Sequence, residues 1–194
     1  MPLLAPEPFI YPEGLLTDGP PVAEGEARWW VLHTRARSEK SIARVALRDA
    51  IPFFLPLHER RWCNKGRTFS SWLPLFPGYL FIHGNSEARQ KLLDTNYLAG
   101  VLPVVDQEGL HSDLARVYGL MNVGASLTPV EGLMPGTRVV IIDGPMRGFE
   151  GKVARLSKRL KLIVEVEFIR CGVSVEIENW MVRPLLPGRE SMVS

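Results

Sequence analysis

The residues best able to do chemistry in this chain are four histidines and two cysteines. Protein zinc sites place such ligands at short, fixed spacings. No Cys-x-x-Cys and no His-x3-His pair occurs, and His58 with Cys63 is a weak signal alone. The sequence therefore predicts no metal site and no cofactor.

A glycine-rich stretch at 144–152 superficially resembles a phosphate-binding loop. Such a loop needs glycine at position 146 and serine or threonine at 153, but these positions hold Met146 and Val153. Gly-x-Ser-x-Gly and GxGxxG motifs are also absent, so nothing in the sequence favours an enzyme. The glycines are better interpreted as residues of tight turns and strand bends; they are Gly144, Gly148 and Gly151.

Positive charge is concentrated in residues 28–70, which carry ten basic and three acidic residues. One group has the spacing of a single helical stripe, with Arg35 just before it; its members are Arg37, Lys40, Arg44 and Arg48. A second group flanks a predicted turn; its members are Arg60, Arg61, Lys65 and Arg67. Such blocks attract nucleic-acid phosphates, although a solvated basic face has the same composition.

The elements that would position these residues follow from periodicity and turn signals. Strands are predicted at 29–34, from Phe53, at 79–83 and at 100–105, with a hairpin that turns at 64–66. Helices are predicted from an N-cap at Ser38 to Pro52, around 87–93 and over 112–121. The order β-α-β-β-α-β-α indicates an α+β domain with an antiparallel sheet.

The 194-residue chain divides at a stretch rich in Pro and Gly. We predict a poorly ordered acidic tail, a first domain, a linker, a second domain and a C-terminal tail, at residues 1–27, 28–122, 123–136, 137–186 and 187–194. The second domain has only short β-rich runs, which favours a small, bent five-stranded barrel. There is no long apolar run, and two free cysteines suit a reducing cytosol, so we expect a cytoplasmic protein with no membrane partner.

Four large aromatic residues lie close together in the predicted sheet: Trp30, Phe76, Tyr79 and Phe81. Core packing is the favoured interpretation for Phe81. Phe76 follows Pro74 and precedes Pro77 in a loop, where partner contact and core packing are both reasonable.

Two sequence segments resemble the NusG family of transcription factors. The first comprises 29–34, 54–56 and 74–81 and is similar to the family's N-terminal (NGN) domain, while 139–153 resembles a KOW motif. The resemblance implies a monomeric elongation factor, not an enzyme, that binds the β′ clamp helices and β gate loop of RNA polymerase. Carried over by position, the clamp-docking residues are Trp30, His33, Phe76, Pro77 and Tyr79.

The resemblance also implies nucleic-acid and protein partners. The helical stripe would face the non-template DNA strand, and the hairpin bases would follow nearby duplex, with base stacking on Trp62. The KOW barrel would recruit Rho or a small-subunit ribosomal protein through Phe149, Phe168 and Ile169. The segment 169–172 departs from the general NusG pattern, which favours a specialised antitermination factor similar to the RfaH branch.

Two alternatives stay open. One is a general NusG that assists Rho-dependent termination. The other is a ribosome-associated KOW protein that binds RNA, which predicts a strongly basic chain, whereas this chain has a net charge of +2.

Overall fold

The computed structural model describes residues 8–18, 26–132, 136–156, 159–178 and 181–185. It divides into two compact units, Met1–Ala115 and Arg116–Ser194. The predicted C-terminal tail lies outside the described residues.

The described helices and strands are β1 Ile10–Tyr11, β2 Arg28–Thr34, α1 Glu39–Arg48, β3 Phe53–Phe54, β4 Leu57–Asn64, β5 Arg67–Pro74, β6 Tyr79–Gly84, α2 Ser86–Leu93, β7 Leu98–Pro103, α3 Gln107–Asn122, β8 Thr128–Glu131, β9 Thr137–Ile141, β10 Glu150–Leu156, β11 Arg159–Val166, β12 Cys171–Glu176 and β13 Val182–Pro184, with short 3-10 turns at Glu13–Leu16 and Glu167–Ile169.

The first unit is built on a five-stranded antiparallel sheet in the order β1-β3-β6-β2-β7. The sequence prediction of antiparallel strands with intervening helices is confirmed. Alternate residues of the sheet and the apolar residues of α1 and α2 form one buried cluster. Its members are Trp30, Leu32, Ile42, Ala43, Ala46, Ile51, Phe53, Leu55, Leu57, Leu80, Ile82, Leu92 and Leu98.

The prediction of a poorly ordered N-terminal tail is wrong for residues 8–18. Ile10 and Tyr11 pair with β3, and the side chains of Phe9 and Tyr11 pack against the buried cluster. Leu15 and Leu16 in the following turn are also buried. The prediction followed the high content of proline and acidic residues and overlooked these few apolar residues. Their burial supplies the contacts that stabilise the segment. Residues 1–7 and 19–25 of the predicted tail lie outside the described residues.

Helix α3 begins five residues earlier than predicted. The Asp106 carboxylate accepts a hydrogen bond of 2.8 Å from the backbone N–H of Gly109, which caps the first turn. The glycine in that turn weakened the helical signal in the sequence.

The second unit contains a six-stranded antiparallel sheet in the order β13-β9-β10-β11-β12-β8. The five strands predicted for the second domain are present as β9 to β13. The sixth strand, β8, lies inside the predicted linker and pairs with β12, so that prediction is wrong for 128–131. The sequence analysis missed this short edge strand because proline and glycine, here Pro129 and the nearby glycines, usually indicate a loop.

Helix α1 ends in a Schellman motif closed by alanine rather than glycine. The N–H groups of Ala50 and Ile51 donate to the carbonyls of Leu47 and Ala46 at 3.1 and 2.8 Å. Ala50 has a φ of 52°, in the left-handed region that favours glycine. Pro52 follows the motif and does not itself end the helix.

We expect Ala50→Gly to raise the free energy of unfolding by about 0.5–1 kcal/mol, because glycine adopts this conformation without a steric penalty. Urea denaturation at neutral pH measures the change. The matched control is Ala43→Gly in the middle of the same helix, which should destabilise by about 1 kcal/mol or more. A destabilised Ala50→Gly variant would contradict the prediction.

Candidate functional site

The predicted docking loop is held in place by a buried carboxylate. Glu39, at the first turn of α1, accepts a 2.8 Å hydrogen bond from the backbone N–H of Gly78. The Gly78 carbonyl in turn accepts one of 2.8 Å from the N–H of Thr34. These bonds link helix α1 to the end of β2 through the loop. Sequence reasoning missed Glu39, because a glutamate at a helix start is usually a surface residue.

His33 and Tyr79 form the exposed part of the predicted docking surface. They face each other across β2 and β6, and their ring centroids lie 5.6 Å apart. His33 is exposed and Tyr79 is half-buried, and Pro77, two residues before Tyr79 in the loop, is exposed. The structure therefore brings three of the five predicted docking residues together.

Trp30 does not belong to this surface. It lies an odd number of residues from His33 on the same strand, so it faces the other side of the sheet. Its ring is buried, and its indole Nε1–H donates to the Gly84 carbonyl at 3.0 Å. The guanidinium groups of Arg28 and Arg89 lie 4.5 and 4.9 Å from the ring centroid. The prediction that Trp30 contacts a partner is therefore wrong in this structure, and Trp30 is a core residue.

Phe76 is also a core residue. Its side chain is 2% exposed and packs edge-on against Phe81, with ring centroids 6.1 Å apart. The sequence analysis left two roles open for Phe76, partner contact and core packing. Because the side chain is buried, Phe76 packs in the core. Phe81 is fully buried, as expected.

The predicted helical stripe lies on the surface. Arg37, Arg44 and Arg48 are exposed, as is Arg35 before the stripe, and Lys40 is half-buried. The prediction that Arg37 belongs to the helix is wrong, because α1 begins at Glu39 and Arg37 has a left-handed φ of 62°. Arg48 pairs with Asp49 at 2.8 Å, which raises the pKa of Arg48 and lowers that of Asp49 through their hydrogen bond. Part of the positive charge at the end of α1 is thus compensated.

The predicted hairpin is confirmed. Strands β4 and β5 form a separate two-stranded sheet that turns at Lys65 and Gly66. Their φ angles of 48° and 73° are those of a two-residue type I′ turn. The four hairpin bases are all exposed, and Arg61 pairs with Glu59 at 2.7 Å. Two exposed aromatic residues, Phe69 and Trp72, join Trp62 here and were not singled out in the sequence.

The predicted partner-binding residues of the second unit differ in exposure. Phe168 is exposed, Phe149 is half-buried and Ile169 is buried. The prediction that Ile169 contacts a partner is therefore wrong in this structure, because its side chain packs inside the unit. It ends a 3-10 turn that Arg170 closes with a φ of 53°.

The glycine-rich stretch is a turn and not a phosphate cradle. Gly144 and Gly148 have φ angles of 84° and 90°. The Gly148 N–H donates to the Ile141 carbonyl, and the Arg147 N–H to the Gly144 carbonyl, so these donors already have partners. A Cβ on Gly151 would lie 2.5 Å from the Ile163 carbonyl oxygen, which explains the third glycine.

Two histidines flank a buried tryptophan in the first unit. The ring of Trp29 lies 5.3 Å from His83 and 5.9 Å from His111. Burial lowers the pKa of both imidazoles, and their proximity lowers that of His83 further. The histidines therefore belong to the packing of α3 and the sheet. Among the residues that the structure describes, no three His, Cys, Asp or Glu side chains form a group able to hold a metal ion.

Exposed bases and aromatic rings on a sheet and a hairpin are typical of proteins that bind other macromolecules. The family model described as transcription termination factor nusG matches residues 27–129. This match covers more than half of the chain, and the chain belongs to the NusG family. It is accordingly a transcription factor of the NusG type, a non-enzymatic class that interacts with RNA polymerase.

No curated protein matches the chain. Within the described residues, no helix is both long and apolar enough to cross a membrane.

We expect the first unit to lose stability as the pH falls below about 6.5. The unfolded histidines would take up protons near their ordinary pKa of 6.5, whereas the folded ones resist because their pKa is lowered. The free energy of unfolding, measured from pH 7.5 to 5, should therefore fall. The double variant His83→Phe/His111→Phe should show a flatter dependence, because it removes both imidazoles with a lowered pKa. An unchanged slope in the double variant would refute this assignment.

Proposed function

We propose that the protein is an elongation and antitermination factor that docks on the β′ clamp helices of RNA polymerase and suppresses pausing. The observation that carries this proposal is the surface around His33, Pro77 and Tyr79. The buried Glu39 fixes its loop through Gly78. A preformed surface loses little conformational entropy on binding, which favours affinity. A factor that binds the closed clamp better than the open one shifts the clamp toward closure.

The basic stripe extends the proposal to DNA. The exposed arginines on α1 and just before it suit the phosphates of the non-template strand, since phosphate attraction does not depend on sequence. The family relationship supports a location near the DNA of the transcription bubble. The expected role of the stripe is to hold this strand rather than to read its bases. The predicted β gate-loop contact belongs to the same proposal.

For the second unit we infer a KOW barrel that recruits a further partner, either Rho or a small-subunit ribosomal protein. Its antiparallel strand order and the three glycines support this interpretation. Phe168 and Phe149 are the contact candidates, because Ile169 is buried. A general factor that assists Rho is the second candidate, favoured by the termination role in the family description. The nearly neutral chain argues against a ribosomal RNA-binding protein.

Single-round transcription with the cognate polymerase, with and without Rho, tests the docking surface. The double variant His33→Ala/Tyr79→Ala should raise the concentration needed for read-through about tenfold or more, because it removes two central contacts. Phe76 is avoided, since its loss would disturb the core. The matched control is Tyr97→Ala, an exposed tyrosine of the same unit. Enhanced Rho termination by wild type would favour the second candidate, and no effect on either process would refute polymerase docking.

The role of the stripe is tested by salt dependence. Replacing Arg37 and Arg44 by Gln should lower the slope of log K against log salt by about 0.7 per lost phosphate contact for single-stranded DNA. Binding is measured by fluorescence anisotropy with a labelled strand. Arg138→Gln, an exposed arginine in the second unit, serves as the control and should leave the slope unchanged. An unchanged slope in the double variant would place the DNA elsewhere.

A further inference from the structure

The hairpin of β4 and β5 exposes both of its faces. Every residue from 60 to 70 is exposed, and the two strands form a sheet of their own. The eight cross-strand pairs run from Leu57 with Pro74 to Asn64 with Arg67 without a register shift. Because side chains alternate between faces, this register fixes which residues share a face.

One face carries two aromatic rings between two arginines. Trp62 lies directly opposite Phe69, and their rings stack with centroids 5.8 Å apart and an interplanar angle of 18°. Arg67 lies two residues from Phe69 on β5, toward the turn, and Arg60 lies two residues from Trp62 on β4, away from the turn. Both therefore share the face of the two rings. The two rings are 44% and 42% exposed, so this face carries an open aromatic surface. We call these four residues the aromatic face.

The arginines on the two faces of the hairpin differ in whether they form ion pairs. On the opposite face, Arg61 pairs with Glu59 at 2.7 Å, and Trp72 lies across from the same glutamate. On the aromatic face, neither Arg60 nor Arg67 makes an ion pair within the described part of the chain. Positive charge is therefore compensated on one face and left available on the other.

This combination suits one kind of ligand. Aromatic side chains stack on nucleotide bases of any sequence, and arginine binds the phosphates between them. A base can reach the rings only when it is unpaired, because bases within a duplex are already stacked on each other. A protein partner would need acidic and apolar groups together, whereas a single nucleic-acid strand supplies phosphates and bases at every step.

We propose that the aromatic face binds unpaired nucleotides, with a base stacked on the Trp62–Phe69 pair and the flanking phosphates bound by Arg60 and Arg67. The inference rests on the proposed function for its location at the transcription bubble. It goes further in assigning a single strand, rather than the duplex expected for the hairpin bases, and in assigning Phe69. The chemistry is shared by DNA and RNA.

Binding of the full-length protein to labelled oligothymidine and oligouridine of about 12 nucleotides tests the proposal, because this length spans a typical single-strand site. An abasic strand of the same length supplies phosphates without bases, and a blunt duplex supplies paired bases. The variant Trp62→Leu should weaken binding to one or both normal strands about tenfold. It should leave binding to the abasic strand and the duplex unchanged. The normal strand that loses affinity identifies DNA or RNA as the ligand.

Three further variants sharpen the result. Trp72→Leu removes a similarly exposed tryptophan from the opposite face and should bind as wild type. Trp62→Phe keeps an aromatic ring and should restore most of the affinity. Arg60→Gln should weaken binding to normal and abasic strands alike, since it removes a phosphate contact.

The proposal is overturned if Trp62→Leu weakens abasic and normal strands equally, or neither, or if Trp72→Leu has the same effect as Trp62→Leu. These experiments contain no polymerase, so their failure leaves the transcription assay of the proposed function untouched. Conversely, a factor that stacks bases but has no effect on transcription would refute the proposed function alone.

Discussion

The first unit depends on β2 as an interior strand of the sheet, because its side chains alternate between the two faces and the two faces have different neighbours. Because β6 and β7 both pair with it, β2 cannot slip by one residue without exchanging the faces. Trp30 and Leu32 are fixed in the cluster beneath α1 and α2, and His33 is fixed on the other side. The same constraint that builds the core thus selects which residues a partner can reach.

The buried Glu39 connects this core to the surface. Its hydrogen bond to the Gly78 amide satisfies a carboxylate that is only 7% exposed and whose burial would otherwise be costly. A hydrogen bond to a charged group contributes about 1.5–3 kcal/mol. The loop that carries Pro77 is therefore positioned by a helix start, and its geometry is inseparable from the packing of α1.

Much of the fold could be predicted from the sequence, because the aromatic and β-branched residues at 29–34 and the Lys65-Gly66 turn are local signals. The N-terminal segment could not, since only contacts with β3 and the distant core explain why Phe9 and Tyr11 are ordered. For the site, residue type predicted the exposed arginines, and the family resemblance predicted His33, which is exposed. The positions carried over from the resemblance failed for Trp30, Phe76 and Ile169, because burial depends on neighbours from other elements. Phe69 was missed because only cross-strand register places it beside Trp62.

The short strand β1 limits how far the protein can be truncated at its N-terminal side. It occupies the outer side of β3, which would otherwise present unpaired backbone groups at the end of the sheet. A protein trimmed to the family-matched region, beginning at residue 27, would lose this strand together with the buried Leu15 and Leu16. Such a fragment would expose a strand edge and an apolar patch at once, the combination that drives self-association into aggregates. The segment preceding the matched domain thus covers a strand edge and apolar side chains that would otherwise favour self-association.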